Sequence, residues 1–265
     1  MNKIRIEEDK IVLKNLTPKI DVIFEPKDAS FGVNKIIVKI KKNASLVIEY
    51  KGISESKLDI VFDVLENVHA NIVEFRKGKV NKVRYLINLD KNSNLNISKF
   101  YDIDKIREVL NVNLNGENAI FNYNFKTIST NIEKYDMAIY HNDYNTQSNV
   151  NNNGINIKDG SLFFNVLGLV NKNKTNCTLN QNNRIINYTN NLCQINPNLY
   201  VDEYEINANH SAYIGNFKDE ELFYLMRLGI PYKEALKLLI NGFLIKGIDK
   251  KLSTKIKSSI NRYWR

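Results

Sequence analysis

The sequence predicts a mainly β chain: a β-solenoid over residues 1–216, followed by a small α-helical region over 217–265. Three observations point there. Four segments, NASLVIEY (43–50), HANIVEF (69–75), SNLNISKF (93–100) and ENAIFNYNF (117–125), look alike and end on Tyr50, Phe75, Phe100 and Phe125. Those aromatics recur about every 25 residues, within the range of solenoid repeats. Apolar residues keep returning through an asparagine-dense stretch from 141 to 200, and near residue 217 the apolar period lengthens from two to three or four.

Each of the four segments is strand-like, rich in β-branched and aromatic residues. Val47, Ile72 and Ile97 sit three positions before the aromatic, although Asn122 breaks that series. Upstream, VNKIIVKI, SKLDIVFDV and NKVRYLINL supply a second strand per unit. A coil of two or three short strands cannot bury its apolar face alone, but stacked coils can, each pairing its backbone with the next. Asparagine suits such a stack, because its amide can ladder between coils and it tolerates the left-handed conformation at corners. Pro197 is expected to mark a turn, and LYVDEYEINANHSAYIG to form the last strand or two.

Beyond it, Asp219 or a neighbour is placed to cap a first helix ending at Gly229. Pro231 opens a second helix, expected to stop at Gly242. Ile248, Leu252, Ile256, Ile260 and Tyr263 line one face of a third, basic helix. Three short helices make too little core to stand alone, so they are expected to dock on the solenoid or on a partner.

Composition excludes little. The chain has 265 residues, is 43% hydrophobic and carries a net charge of +9. Lysine is scattered among acids such as Glu7, Glu8 and Asp9, and only Lys246 to Arg265 is concentrated, which reads as a solvated face. No apolar run is long enough to span a bilayer, and MNKIRIEEDK lacks a signal peptide's apolar region, so a cytoplasmic chain without a membrane partner is expected. Cys177 and Cys193 are too few for a disulfide framework or a zinc site. There is no phosphate loop, dinucleotide fingerprint or nucleophile elbow. His69 and His141 have no recognisable base in sequence. From the residues alone, a β-helical carbohydrate-active enzyme and a structural or nucleic-acid-binding solenoid with a basic tail both stay open.

Residues 197–244 carry a further signal. Pro197, Leu199, Ala208, His210, Gly215, Leu222-Phe223-Tyr224-Leu225, Gly229-Ile230, Ala235 and Gly242-Phe243 follow, in order, the pattern of the SufB/SufD family. Upstream, HNDYNTQSNV (141–150), Gly154-Ile155 and GSLFFNVLGLV (160–170) resemble the family's coils. The resemblance implies a right-handed parallel β-helix and a non-enzymatic scaffold in SUF iron–sulfur cluster assembly. It implies pairing with a second SufB/SufD-type subunit as a hetero- or homodimer, and a SufC-type ABC ATPase docked on the C-terminal helices, with nucleic acid not expected. Leu222, Phe223, Tyr224, Leu225, Gly229, Gly242 and Phe243 are the docking candidates. His210 matches the family histidine linked to the cluster site, and is the candidate iron ligand for a cluster held transiently, not as a stable cofactor; a neutral imidazole is a suitable donor for iron. Ser211 after it and Leu228 before Gly229 depart from the pattern, and no cysteine lies near His210 in sequence. With its short N-terminal part, the chain fits a SufD-like or minimal-system member better than a full SufB.

Overall fold

The computed structural model describes residues 2–6, 11–26, 34–50, 54–78 and 80–264. Glu7, Glu8 and Asp9, Val33 and Arg265 lie outside the described residues. The strands are β1 (Asn2–Ile6), β2 (Ile11–Lys14), β3 (Ile20–Pro26), β4 (Asn34–Ile40), β5 (Ala44–Tyr50), β6 (Ser54–Val64), β7 (His69–Gly78), β8 (Val80–Leu89) and β9 (Asn94–Ile103). They continue as β10 (Ile106–Leu114), β11 (Ile120–Ser129), β12 (Ile132–His141), β13 (Gln147–Asn156), β14 (Ser161–Val170), β15 (Cys177–Asn187), β16 (Gln194–Val201) and β17 (Ile206–Gly215). Three helices follow: α1 (Asp219–Arg227), α2 (Tyr232–Ile245) and α3 (Lys250–Tyr263).

From β4 onward, consecutive strands alternate between two sheets, so each coil gives one strand to each. The first sheet runs β17-β15-β13-β11-β9-β7-β5-β1-β2 and the second β16-β14-β12-β10-β8-β6-β4-β3. Neighbours from successive coils are parallel; among the described residues only β1–β2 and β3–β4 are antiparallel. The result is a β-solenoid of about six turns with two strands per turn.

Stacking explains the asparagines. On the outer face of the first sheet, Asn71, Asn96, Asn122, Asn149, Asn180 and Asn209 form one ladder, each amide nitrogen donating to the oxygen one coil back at 2.9–3.4 Å. At one corner Asn67, Asn92 and Asn118 make a second ladder, all with positive φ. The ladders also record the coil length, which grows from 25 residues between Asn71 and Asn96 to 31 between Asn149 and Asn180.

That drift corrects the aromatic repeat. Phe75 and Phe100 share a register and stack on the outer face at 5.9 Å. Phe75, however, pairs with Glu49 and not Tyr50, and Phe125 pairs with Lys99 and not Phe100. A one-residue slip turns a strand side chain to the opposite face, so Tyr50 and Phe125 join the interior core instead. The series of three positions earlier slips likewise: Ile72 and Ile97 share a rung with Leu46 and Tyr123, while Val47 faces outward.

Two cores result. One fills the solenoid between the sheets; the other lies between the outer face of the first sheet and the helices. In the second, Val47, Val73, Phe100, Ile128, Ile155 and Ile186 meet Ile240, Phe243, Leu244, Leu252, Ile256 and Ile260. The helices therefore dock on the solenoid, through α2 and α3. Asp102 of β9 holds α3 by accepting from Ser259 Oγ, from Arg262 Nη2 and from Tyr263 Oη at 2.9 Å.

Two boundary expectations change. Pro197 lies inside β16, opposite Val166. Since β16 is an edge strand, a proline there need not remove a ladder hydrogen bond. Helix α2 runs through Gly242 to Ile245, and Gly247, at φ +73°, provides the left-handed stop. The first helix begins at Lys218 as its cap, whose N–H donates to the Glu221 carboxylate at 3.3 Å. It ends as read: Gly229 N–H donates to Met226 O and Ile230 N–H to Leu225 O, a Schellman motif with Gly229 at φ +80°.

Candidate functional site

The last strands of both sheets, β16 and β17, lie at the same end of the solenoid, each with one unpaired edge. An unpaired edge is a row of free N–H and C=O groups ready to accept another strand. Leu192, Tyr200, Tyr204, Tyr213 and Ile214 are exposed at this end, Tyr204 completely.

His210 stands at the head of a column of stacked positions. Down the first sheet, its rung continues through Gln181, Val150, Tyr123, Ile97, Ile72 and Leu46. The lower members fill the apolar interior, whereas the last covered coils are polar. Gln181 Nε2 donates to Asn198 O at 3.4 Å, and Asn152 Nδ2 donates to Asn183 Oδ1 at 2.8 Å. Gln181 Oε1 and Asn183 Nδ2 are buried without a partner. His210 itself is exposed and, with Asn180, Asn182, Asn209 and Ser211, lines an open cleft of about 340 Å³.

The structure does not bring a thiolate to His210. Cys177 is buried opposite Ile206, four residues along β15 from the His210 rung, roughly 13 Å at strand spacing. Its thiol lies 3.2 Å from Thr146 Oγ1. Cys193 is half-buried before β16, and burial pushes its thiol upward. Among the described residues, no three His, Cys, Asp or Glu side chains form a metal-holding group.

The docking candidates divide. Helix α1 buries none of its residues: Phe223 and Tyr224 are exposed, and Leu222 and Leu225 half-buried. Leu228, Tyr232 and Leu238 extend the apolar surface. Gly229 shapes the turn after α1, and Gly242 lies on an open helix face where an added Cβ would meet nothing. Phe243 faces the other way, packed in the core edge-on to Phe217.

Sequence reasoning missed a charged cluster inside the solenoid. Glu74, Arg76, Lys99 and Glu108 are all essentially unexposed. Arg76 Nε donates to Glu74 Oε1 at 2.6 Å, and Lys99 Nζ to Glu108 Oε1 at 2.9 Å. Tyr101 Oη bridges both carboxylates at 2.7 Å, and Tyr85 Oη donates to Glu74. Burial alone would push the Glu74 carboxyl up, but Lys99 and Arg76 hold it below the usual range. Period two, applied to charged positions, would have found the cluster: Ile72, Glu74 and Arg76 share the inward parity of β7. His141 was also left without partners, yet its ring nitrogens meet Thr146 Oγ1 at 2.8 Å and Ser148 Oγ at 2.9 Å. Burial pushes it down to about 4, which suits a neutral packing group.

Comparisons with known proteins bear on the family of the chain, not on these side chains. The family described as SUF system FeS cluster assembly, SufBD core domain, matches residues 23–243. The chain is 28% identical over 137 residues to the iron-sulfur cluster assembly protein SufD of Bacillus subtilis, covering 48% of this chain and 31% of that protein. It is 46% identical over 55 residues to an iron-sulfur cluster assembly SufBD family protein of Mycobacterium tuberculosis, covering 20% and 14%. A SufBD family protein of Pyrococcus horikoshii is 41% identical over 63 residues, covering 23% and 14%. The matched stretches span under a third of each relative's length.

Proposed function

Since this chain belongs to the SufBD family, we propose that it is a scaffold subunit of an iron–sulfur cluster assembly complex, not an enzyme in itself. The observation that carries the reading is the coincidence, at one end of the solenoid, of two open strand edges, an exposed aromatic rim and His210. A second SufB/SufD-type subunit, identical or different, would pair there edge to edge. The cluster is cargo in this scheme. His210 supplies one neutral imidazole donor, and with no thiolate beside it here, the remaining ligands come from the second subunit.

Helix α1 is the proposed dock for a SufC-type ABC ATPase, through Phe223 and Tyr224 with Leu228 beside them. Phe243 supports that surface from beneath, anchoring α2 to the sheet. The sequence has no phosphate loop of its own, so nucleotide hydrolysis on the ATPase would act on this chain by favouring one arrangement of the complex over another. Nothing in the helices is long and apolar enough to cross a membrane among the described residues, and the complex is proposed to work in the cytoplasm.

Co-expression with a SufC-type ATPase tests the dock. A complex that survives affinity purification is expected, and Phe223→Glu with Tyr224→Ser should abolish it while leaving the fold intact. Absence of any complex with the unaltered chain would overturn the assignment.

A further inference from the structure

Between the outer face of the first sheet and α2 lies a cavity of about 480 Å³ whose wall is basic. Lys126 of β11 forms part of that wall with only 2% of its surface exposed. On its column, Phe100 lies one coil below, Asn153 and Arg184 one and two coils above. No carboxylate among the described residues lies within ion-pair distance of Lys126. Among the described residues its partner is the Asn153 amide oxygen at 2.8 Å, with the amide turned so that its nitrogen donates to Asn152 O.

Lys246 and Arg184 line the same cavity. The Arg184 guanidinium lies over the rings of Tyr213 and Phe243 at 4.9 and 5.3 Å, and its buried Nε has no hydrogen-bond partner. Against three cations the wall sets one carboxylate, Glu221, already engaged by the Lys218 N–H. The amides of Asn124, Asn151 and Asn182 add neutral donors.

Burying an ammonium without a counter-charge is costly, and solvation by one amide offsets only part of that. Burial, together with Lys246, pushes the Lys126 amine down to about 8. An anion in the cavity would relieve both the burial cost and the mutual repulsion. We propose that this cavity binds a tetrahedral oxyanion of the phosphate class, held by Lys126, Lys246 and Arg184. It has room for more than inorganic phosphate, so the source is either the free ion or a small phosphorylated molecule. The inference does not rest on the cluster-assembly reading and is tested on the chain alone.

Calorimetric titration of the full chain with inorganic phosphate, and separately with AMP, distinguishes the two sources. Saturable binding of at least one probe is expected, weakened at least about ten-fold by Lys126→Met. Lys246→Gln, on an exposed position, should weaken it by about three-fold, and Lys172→Gln, on a distant turn, not at all. The phosphate-induced rise in melting temperature should disappear with Lys126→Met. Should that variant fail to fold, Lys246→Gln decides alone. No saturable binding, or equal binding across the variants, overturns the proposal.

Discussion

Glu133 shows how burial can dominate a charge state. It is fully buried, and Thr127 Oγ1 and Tyr135 Oη both donate to its Oε2 at 2.7 Å, with no cation in ion-pair distance among the described residues. Burial, with the Asp102 charge adding to it, pushes its carboxyl up to about 8, and hydrogen bonding from Thr127, Tyr135 and Ser129 offsets only part of that. An unfolded chain releases this proton from about pH 4.5, whereas the folded chain holds it to about pH 8. The unfolded state binds fewer protons in that window, so stability falls as pH rises across it. His141 acts oppositely between about 4 and 6.5, which leaves pH 6.5 to 8 as the clean interval. Urea midpoints there should show the native chain losing on the order of 2 kcal/mol, and Glu133→Gln losing little. The Glu74–Arg76–Lys99–Glu108 cluster makes a second test. Removing one member leaves a buried charge uncompensated, so Glu74→Ala should cost about 3–5 kcal/mol in the same measurement.

Ladders and latches govern the elements. Asn92 both donates to Asn67 and accepts from Asn118, at φ 54°. Asn92→Ala loses two side-chain hydrogen bonds and strains the corner, costing about 2–3 kcal/mol. Asn92→Gly loses the bonds but keeps the backbone free, so its thermal or urea midpoint should fall between the two. Helix α3 depends on Asp102. Asp102→Asn is expected to raise amide exchange across Lys250–Tyr263 while β9 stays protected; equal protection in both proteins would mean that Leu252, Ile256 and Ile260 suffice. At this scale the sequence was largely readable. Asparagine tolerates corners and stacks on itself, and Leu252, Ile256 and Ile260 do face the sheet. What eluded reading was register. Coils that vary in length let Tyr50 and Phe125 slip by one residue, and local propensity carries no information about that. Pro197 and Gly242 misled for a similar reason, since an edge strand and an open helix face tolerate residues that interiors reject.

The whole molecule is a stack with two different ends. At one, β1–β2 and β3–β4 turn antiparallel; at the other, β16 and β17 stop with open edges, and the helices cover only the outer flank of one sheet. The family pattern and the position of His210 were legible in the residues themselves. The polar interior beneath it and the basic cavity were not, because both arise from residues far apart in sequence that stacking brings together. The scaffold role proposed above implies that the chain is active only in company. The most direct measurement is anaerobic purification of this chain co-expressed with a SufB-type subunit and a SufC-type ATPase, followed by iron and acid-labile sulfide determination. The account predicts a complex carrying both elements, able to pass them to an apo acceptor, with the content reduced by His210→Ala. A complex that forms but holds neither iron nor sulfide would contradict it.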